Sequence, residues 1–203
     1  MPLLPLDVHH ELRLLRECRL LFEYTLLLDL TYSLNYTYNS LPANSPLRPT
    51  TLLALFSTLS LGSDLEALAI NPSSLTSSLN QWAVPTSEKI SFLTEASEIY
   101  KSANLLSKAL EFALLALNIE LSEAVAEKAV VLTLANEAKF DLSEVLKTQG
   151  VSGKISGKAA ELVRLFTEAD ELEAVSQGQS WAKENESYLS GFCKFRQDTQ
   201  IDR

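Results

Sequence analysis

The side chains best suited to acid–base or nucleophilic chemistry are scarce in this chain. Its histidines are His9 and His10, and its cysteines are Cys18 and Cys193. Adjacent histidines lack the i, i+4 spacing with which one helix face holds a metal ion. A single pair of cysteines at opposite ends makes no disulfide framework, so we expect reduced thiols. Because the rest of the sequence lacks histidine, we expect no Ser-His-Asp or Cys-His catalysis in the folded body.

A glycine-containing segment between residues 150 and 158 has some features of a phosphate-binding loop. Three residues separate Gly153 from Gly157, which is fewer than that loop requires. Ala159 follows the lysine where Ser or Thr is needed, and no predicted strand precedes the segment. We therefore predict a flexible loop between helices and no bound nucleotide.

Acidic residues offer the remaining route to a metal or ligand site. One closely spaced set is Glu168, Asp170, Glu171 and Glu173. Carboxylates at a helix start also complement the helix dipole, which is the commoner explanation. Further glutamates fall mostly at polar helical positions, namely Glu88, Glu95, Glu98, Glu120, Glu127 and Glu161. We predict no catalytic, cofactor-binding or metal-binding residue, and keep a helical-bundle enzyme or ligand-binding protein as the alternative from another functional class.

The two tryptophans, Trp82 and Trp181, are the candidate residues for protein interaction. Tryptophan is over-represented among the residues that dominate binding energy at interfaces. Core packing at a junction between helical repeats accounts for them equally well. The sequence leaves both interpretations open.

The overall charge restricts the partners. The 203 residues carry a net charge of −9 and a pI near 4.8, and the basic residues are interleaved with acidic ones. Such a surface repels phosphate backbones, so we expect no direct sequence-specific nucleic-acid binding. No uncharged apolar run reaches the roughly 18 residues of a membrane span, so no membrane contact is expected. The amino-terminal residues do not follow the pattern of a signal peptide, which favours a cytoplasmic protein.

The amino-terminal part of the chain predicts helices separated by prolines and glycine. Leucines cover more than one face between residues 11 and 41, which predicts a mostly buried helix or helix pair. Pro42 and Pro46 end it, and a second helix runs from about 47 until Gly62. A short helix opening near Pro72 then leads to Trp82.

From Pro85 to Leu189 the pattern predicts four or five amphipathic helices with short connections. Thr86 is the predicted cap of the first, and the next begins at Ala103. Alanines at the inner positions of the following helices allow neighbouring backbones to approach closely. No segment alternates with the period of a strand. The prediction is an all-α protein of degenerate two-helix repeats, as in a solenoid.

Several segments together resemble the PCI-domain family. In order they are residues 38–48 with the run Asn44-Ser45-Pro46-Leu47-Arg48, residues 79–82 ending in Gln81-Trp82, residues 86–89, residues 140–142 and residues 162–166. The resemblance is carried by their order and spacing more than by any single motif. It covers roughly residues 34–190 and is greatest to the members of the family that belong to eukaryotic translation initiation factor 3.

The resemblance implies a right-handed helical-repeat solenoid of the HEAT or TPR kind and a non-catalytic scaffold role. The implied partners are the other subunits of translation initiation factor 3 and, through the complex, the small ribosomal subunit in the 43S preinitiation complex. Subunits of the COP9 signalosome and the proteasome lid belong to the same family and remain the alternative. The expected organisation is an unmatched helical segment over 1–33, the PCI-type array over 34–190 and a divergent tail over 191–203, with no winged-helix part.

Overall fold

The structure is a computed structural model that describes residues 8–68, 70–136, 155–167, 177–178, 180–181 and 183–185. Side chains are described from residue 19 onward, apart from those of residues 73, 162, 166 and 167. Every regular element in these ranges is helical, which confirms the all-α prediction. The chain divides into two compact units, residues 1–103 and residues 104–203.

The first unit contains four α-helices and a short 3₁₀ turn. Helix α1 spans Val8–Ser40 and α2 spans Arg48–Leu61; the 3₁₀ turn Leu65–Ala67 follows, and then α3 spans Pro72–Gln81 and α4 spans Thr86–Ser102. In the second unit α5 spans Leu106–Ile119, α6 spans Glu123–Ala135 and α7 spans Gly157–Thr167. The predicted boundary between residues 33 and 34 falls inside the unbroken α1.

The breaks between these helices follow from proline and glycine, as predicted. Pro42 and Pro46 lie in the turn between α1 and α2, where their restricted backbone disfavours helix in the preceding residue. Pro49 lies in the first turn of α2, where its missing N–H has no helical partner to lose. Helix α2 ends at Gly62, and Ser63 then turns the chain with a φ of 59°.

The core of the first unit is built around α2, which contacts both α1 and α4. Leu55 and Phe56 of α2 are 2% and 0% exposed, and Phe92 and Leu93 of α4 are 1% and 0% exposed. These residues recur at helical spacing, so each helix turns one continuous apolar stripe inward. Burial of such side chains contributes about 1.5–3 kcal/mol each.

The prediction of a mostly buried segment over residues 11–41 is wrong for the part whose side chains are described. The segment forms one helix, α1, and from residue 19 onward it has no fully buried side chain. Half-buried positions recur at Leu27, Thr31, Leu34 and Tyr38, which is the stripe that meets α2. One neighbouring helix covers only one side of another, so the other apolar residues of α1 stay exposed.

In the second unit, α5 and α6 pack closely through alanines. Ala109, Ala113 and Ala116 of α5 and Ala126 and Ala129 of α6 are each at most 1% exposed. Small side chains at these positions allow the two backbones to approach, as predicted. The half-buried Leu106 and the buried Leu117 lie at the two ends of this face of α5.

Two helix starts differ from the prediction, one by a single residue and the other by three. Thr86 is the first residue of α4 and Pro85 occupies the cap position, without a side-chain cap hydrogen bond. Helix α5 begins at Leu106 and not at Ala103, because Asn104 adopts the left-handed conformation with a φ of 61°. A continuing helix cannot pass through that conformation, and asparagine tolerates it better than most residues.

Some sequence predictions lie outside the described residues. They are the helix start at residues 140–145, most of the glycine loop over 150–154, the acidic set over 168–173 and the tail over 191–203. Within the described part, Gly157 and Lys158 form the first turn of α7. The segment from residue 157 is therefore helical.

Candidate protein-interaction surface

The six glutamates considered for a metal or ligand site are spread over the described surface. Glu88, Glu95, Glu120 and Glu161 are exposed, and Glu98 and Glu127 are half-buried. No charged side chain is buried among the described residues. In the same ranges no three His, Cys, Asp or Glu side chains lie close enough to hold a metal ion. His9 and His10 belong to the first turn of α1, where only the backbone is described.

Trp82 lies in the core of the first unit, directly after α3. Its side chain is 2% exposed, and its ring meets that of Phe92 edge-on with centroids 5.0 Å apart. The contacts continue from Phe92 to Phe56 at 6.2 Å and from Phe56 to Tyr100 at 5.6 Å. Edge-to-face aromatic pairs add about 0.5–1.5 kcal/mol to the burial of their area. Of the two roles open to Trp82, this position fits core packing and leaves almost no surface for a partner.

The segment around Trp82 is held against the turn between α1 and α2. The backbone N–H of Ala83 donates to the carbonyl oxygen of Asn44 over 3.2 Å. The indole nitrogen of Trp82 is buried and finds no acceptor among the described residues. A buried donor without an acceptor costs about 1–3 kcal/mol, so aromatic packing and not hydrogen bonding holds this ring in place.

Arg48 also stabilises the turn between α1 and α2. Its Nη2 and Nε donate to the carbonyl oxygen of Leu41 over 3.0 and 3.3 Å. Its guanidinium carbon lies 4.7 Å from the ring centroid of Tyr38, which is a cation–π arrangement. The planar guanidinium can satisfy both contacts at once, which a lysine cannot. Arg48 therefore ties the last turn of α1 to the first turn of α2.

Trp181 lies in the second unit and is half-buried. Its indole Nε1 donates to Oε2 of Glu161 on α7 over 2.8 Å. The backbone N–H and the side-chain amide of Asn185 both donate to the carbonyl oxygen of Trp181. Trp181 thus keeps part of its ring available to solvent, and it remains a candidate contact residue.

The largest group of exposed apolar side chains in the described residues lies on α1. Eight of them are 48–76% exposed: Leu20, Leu21, Phe22, Tyr24, Leu26, Leu30, Tyr32 and Tyr36. Exposed apolar side chains in this number on one helix are typical of protein interaction sites. This surface was not predicted, because apolar residues on more than one face of a helix indicated a mostly buried segment. The same pattern occurs in a helix whose outer side is left uncovered, so it does not distinguish the two cases.

The chain is poor in charge from the carboxyl-terminal part of α1 onward. Between residues 30 and 87 the only charged side chains are Arg48, Asp64 and Glu66. Interface cores are depleted in charged residues and enriched in tyrosine, as the last part of α1 is, whereas residues 8–29 of that helix include seven charged residues. The amino-terminal half of α1 carries Arg19, whose Nε donates to Oε1 of Glu23 over 2.8 Å. That hydrogen bond, with the charge of Glu23, raises the pKa of Arg19 above its ordinary value, so the side chain stays charged at physiological pH.

Comparison with known proteins does not identify the chain. No protein-family model matches the sequence. No solved structure matches it either. Among the described helices, none has both the length and the apolarity needed to cross a membrane.

Proposed function

We propose that this chain is a non-catalytic scaffold subunit of eukaryotic translation initiation factor 3, similar to its subunit M. Its described helices would belong to a PCI-type helical-repeat array that presents surfaces to neighbouring subunits. In this role the protein is cytoplasmic and supports assembly of the 43S preinitiation complex on the small ribosomal subunit.

The proposal is supported by where two of the resembling segments lie in the fold. Residues 38–48 and 79–82 are distant in sequence, yet Ala83, directly after the second segment, donates its backbone N–H to the carbonyl oxygen of Asn44 in the first. Arg48, the last residue of the first segment, binds Leu41 and Tyr38 within that same segment. These two of the five resembling segments therefore lie next to each other in the fold, which supports reading them together.

The single observation that carries the scaffold role is the exposed apolar surface of α1. Its aromatic members, Phe22, Tyr24, Tyr32 and Tyr36, are 49–76% exposed. An aromatic side chain carries about 150–250 Å² of buriable surface, so these four leave on the order of 500 Å² uncovered. Covering that area with a protein partner gains roughly 25 cal/mol for each Å². A surface of this kind serves assembly and not catalysis.

The test is affinity capture of the tagged full chain from a eukaryotic extract, followed by identification of the proteins recovered. The proposal predicts enrichment of the other initiation-factor 3 subunits together with proteins of the small ribosomal subunit. Recovery of signalosome or proteasome-lid subunits instead would assign the chain to the alternative members of the same family. Recovery of none of these assemblies would overturn the scaffold proposal.

The enzyme or ligand-binding alternative has its own test. It requires carboxylates gathered around a cavity, and the six glutamates considered for that role are exposed or half-buried. Elemental analysis of the purified chain measures the bound metal directly. One bound metal ion per chain would support this alternative and would count against a purely structural role.

A further inference from the structure

One side of α1 forms a seam that α2 does not cover. Arg19, Phe22, Leu26, Asp29 and Ser33 follow one another at spacings of three and four residues. This alternation places them along one side of a helix and is the spacing of a coiled-coil seam. All five are exposed, and the stripe that meets α2 runs along different positions, Leu27, Thr31, Leu34 and Tyr38. We call the five residues the Phe22 seam.

We propose that the Phe22 seam pairs with the Phe22 seam of a second copy of this chain, with the two α1 helices antiparallel. In the symmetric register centred on residue 24, Phe22 of each copy lies opposite Leu26 of the other. The same register sets Arg19 of each copy opposite Asp29 of the other. The interface is then built from one set of residues used twice, as twofold symmetry requires.

Charge selects the antiparallel orientation. In a parallel pair, Arg19 would face Arg19 and Asp29 would face Asp29. In the antiparallel register both become opposite-charge pairs, and polar residues within a seam set register and orientation in coiled coils. Arg19 also donates to Glu23 of its own helix, so in this register Glu23 of one copy and Asp29 of the other share its guanidinium. A second copy is therefore a partner whose charges complement this seam, even though the whole chain carries a net charge of −9.

In this register the described length of α1, Val8–Ser40, overlaps with that of the second copy. The overlap is about 50 Å at a rise of about 1.5 Å per residue. The amino-terminal half of one helix is thus supported by the carboxyl-terminal half of the other.

The area predicts a weak dimer. A contact strip about 50 Å long and about 10 Å wide covers roughly 500 Å² on each copy. The total of about 1,000 Å² is at the lower limit for a specific interface. We therefore expect association that depends on concentration, with a Kd between about 1 µM and about 1 mM.

Sedimentation equilibrium of the full chain over that concentration range measures the association. Leu26→Ser should raise the Kd at least about tenfold, because it removes two apolar contacts from the centre of the interface. The matched control is Leu21→Ser. Leu21 is 66% exposed on the same helix but lies off the Phe22 seam, so the dimer Kd of this variant should equal that of the wild type. Circular dichroism and the thermal midpoint verify that each variant remains folded.

A charge exchange tests the register separately. Asp29→Arg should weaken the dimer about tenfold, and adding Arg19→Asp should restore the Kd to within about threefold of the wild-type value. A chain that stays monomeric up to about 1 mM overturns the proposal. If Leu21→Ser weakens the dimer as much as Leu26→Ser does, another face of α1 is used. If Asp29→Arg has no effect, the antiparallel register is wrong.

Discussion

The indole ring of Trp82 stands at 90° to the ring of Phe92, with the ring centroids 5.0 Å apart. Trp82 follows α3 and Phe92 lies on α4, so this contact joins the end of one helix to the inner face of the next. Both side chains are at most 2% exposed. The pair forms one end of a chain of aromatic contacts that passes through Phe56 to Tyr100. We take these rings as the centre of the first unit's stability.

Removing one ring from this group should be costly. Phe92→Ala deletes a side chain that contacts both Trp82 and Phe56, and it should lower the free energy of unfolding by about 3–5 kcal/mol. Urea denaturation followed by circular dichroism measures the loss. The control is Leu61→Ala, since Leu61 is 76% exposed and its truncation should change stability by less than about 0.5 kcal/mol. A cost for Phe92→Ala as small as that of the control would contradict the packing described.

The two tryptophans should report different environments. Trp82 is buried and Trp181 is half-buried, and the chain has no other tryptophan. The Trp82→Phe variant retains only the fluorescence of Trp181, and the Trp181→Phe variant retains only that of Trp82. The emission maximum of the first variant should lie at longer wavelength than that of the second. Because the buried indole N–H of Trp82 has no acceptor among the described residues, Trp82→Phe loses no hydrogen bond there, and its cost should stay below that of Phe92→Ala. Emission maxima in the reverse order would show that the two environments are misassigned.

Arg48 should matter through its shape and not its charge. Arg48→Lys keeps the positive charge but loses the paired hydrogen bonds to Leu41 and the flat contact with Tyr38. We expect the free energy of unfolding to fall by about 1–2 kcal/mol. Arg164→Lys is the control, because Arg164 is exposed and its replacement should leave the urea midpoint unchanged. Equal midpoints for Arg48→Lys and the wild type would remove the proposed link between α1 and α2.

A buried polar contact should contribute to the second unit. The side-chain amide of Asn136, which is 5% exposed, donates to the hydroxyl oxygen of Ser107 over 3.0 Å. Asn136→Ala should cost about 1–3 kcal/mol, since a buried polar partner is lost. Asn118→Ala at an exposed position should have little effect. A double-mutant cycle with Ser107→Ala isolates the pair, and a coupling energy near zero would show that the two side chains act independently.

Local features of the fold were predictable because their causes are local. Proline restricts the residue before it, so Pro42 and Pro46 could be identified as a break between helices. Apolar positions at helical spacing were sufficient to assign inner faces, as for Leu110 and Ala113 of α5, which are 2% and 1% exposed. The helical class followed from the same spacing. The solenoid and the PCI family remain predictions.

The exposed state of α1 could not be predicted, because burial depends on which neighbours exist. The sequence of α1 specifies apolar residues on several sides, but only the three-dimensional arrangement determines that α2 covers the side of Leu34 and Tyr38. Similarly, the start of α5 depends on the backbone of Asn104, since asparagine tolerates the left-handed conformation but does not by itself require it. Of the two candidate contact residues, Trp82 could be assigned to packing only when its burial was known.

The most direct test of the scaffold role is sedimentation of the tagged full chain through a sucrose gradient of eukaryotic extract. The account predicts that the chain moves with the small ribosomal subunit and with the other subunits of initiation factor 3. Dissociating that factor from the ribosomal subunit should shift the chain together with the factor. A chain that stays at the top of the gradient with free proteins, while the factor moves normally, would contradict the account.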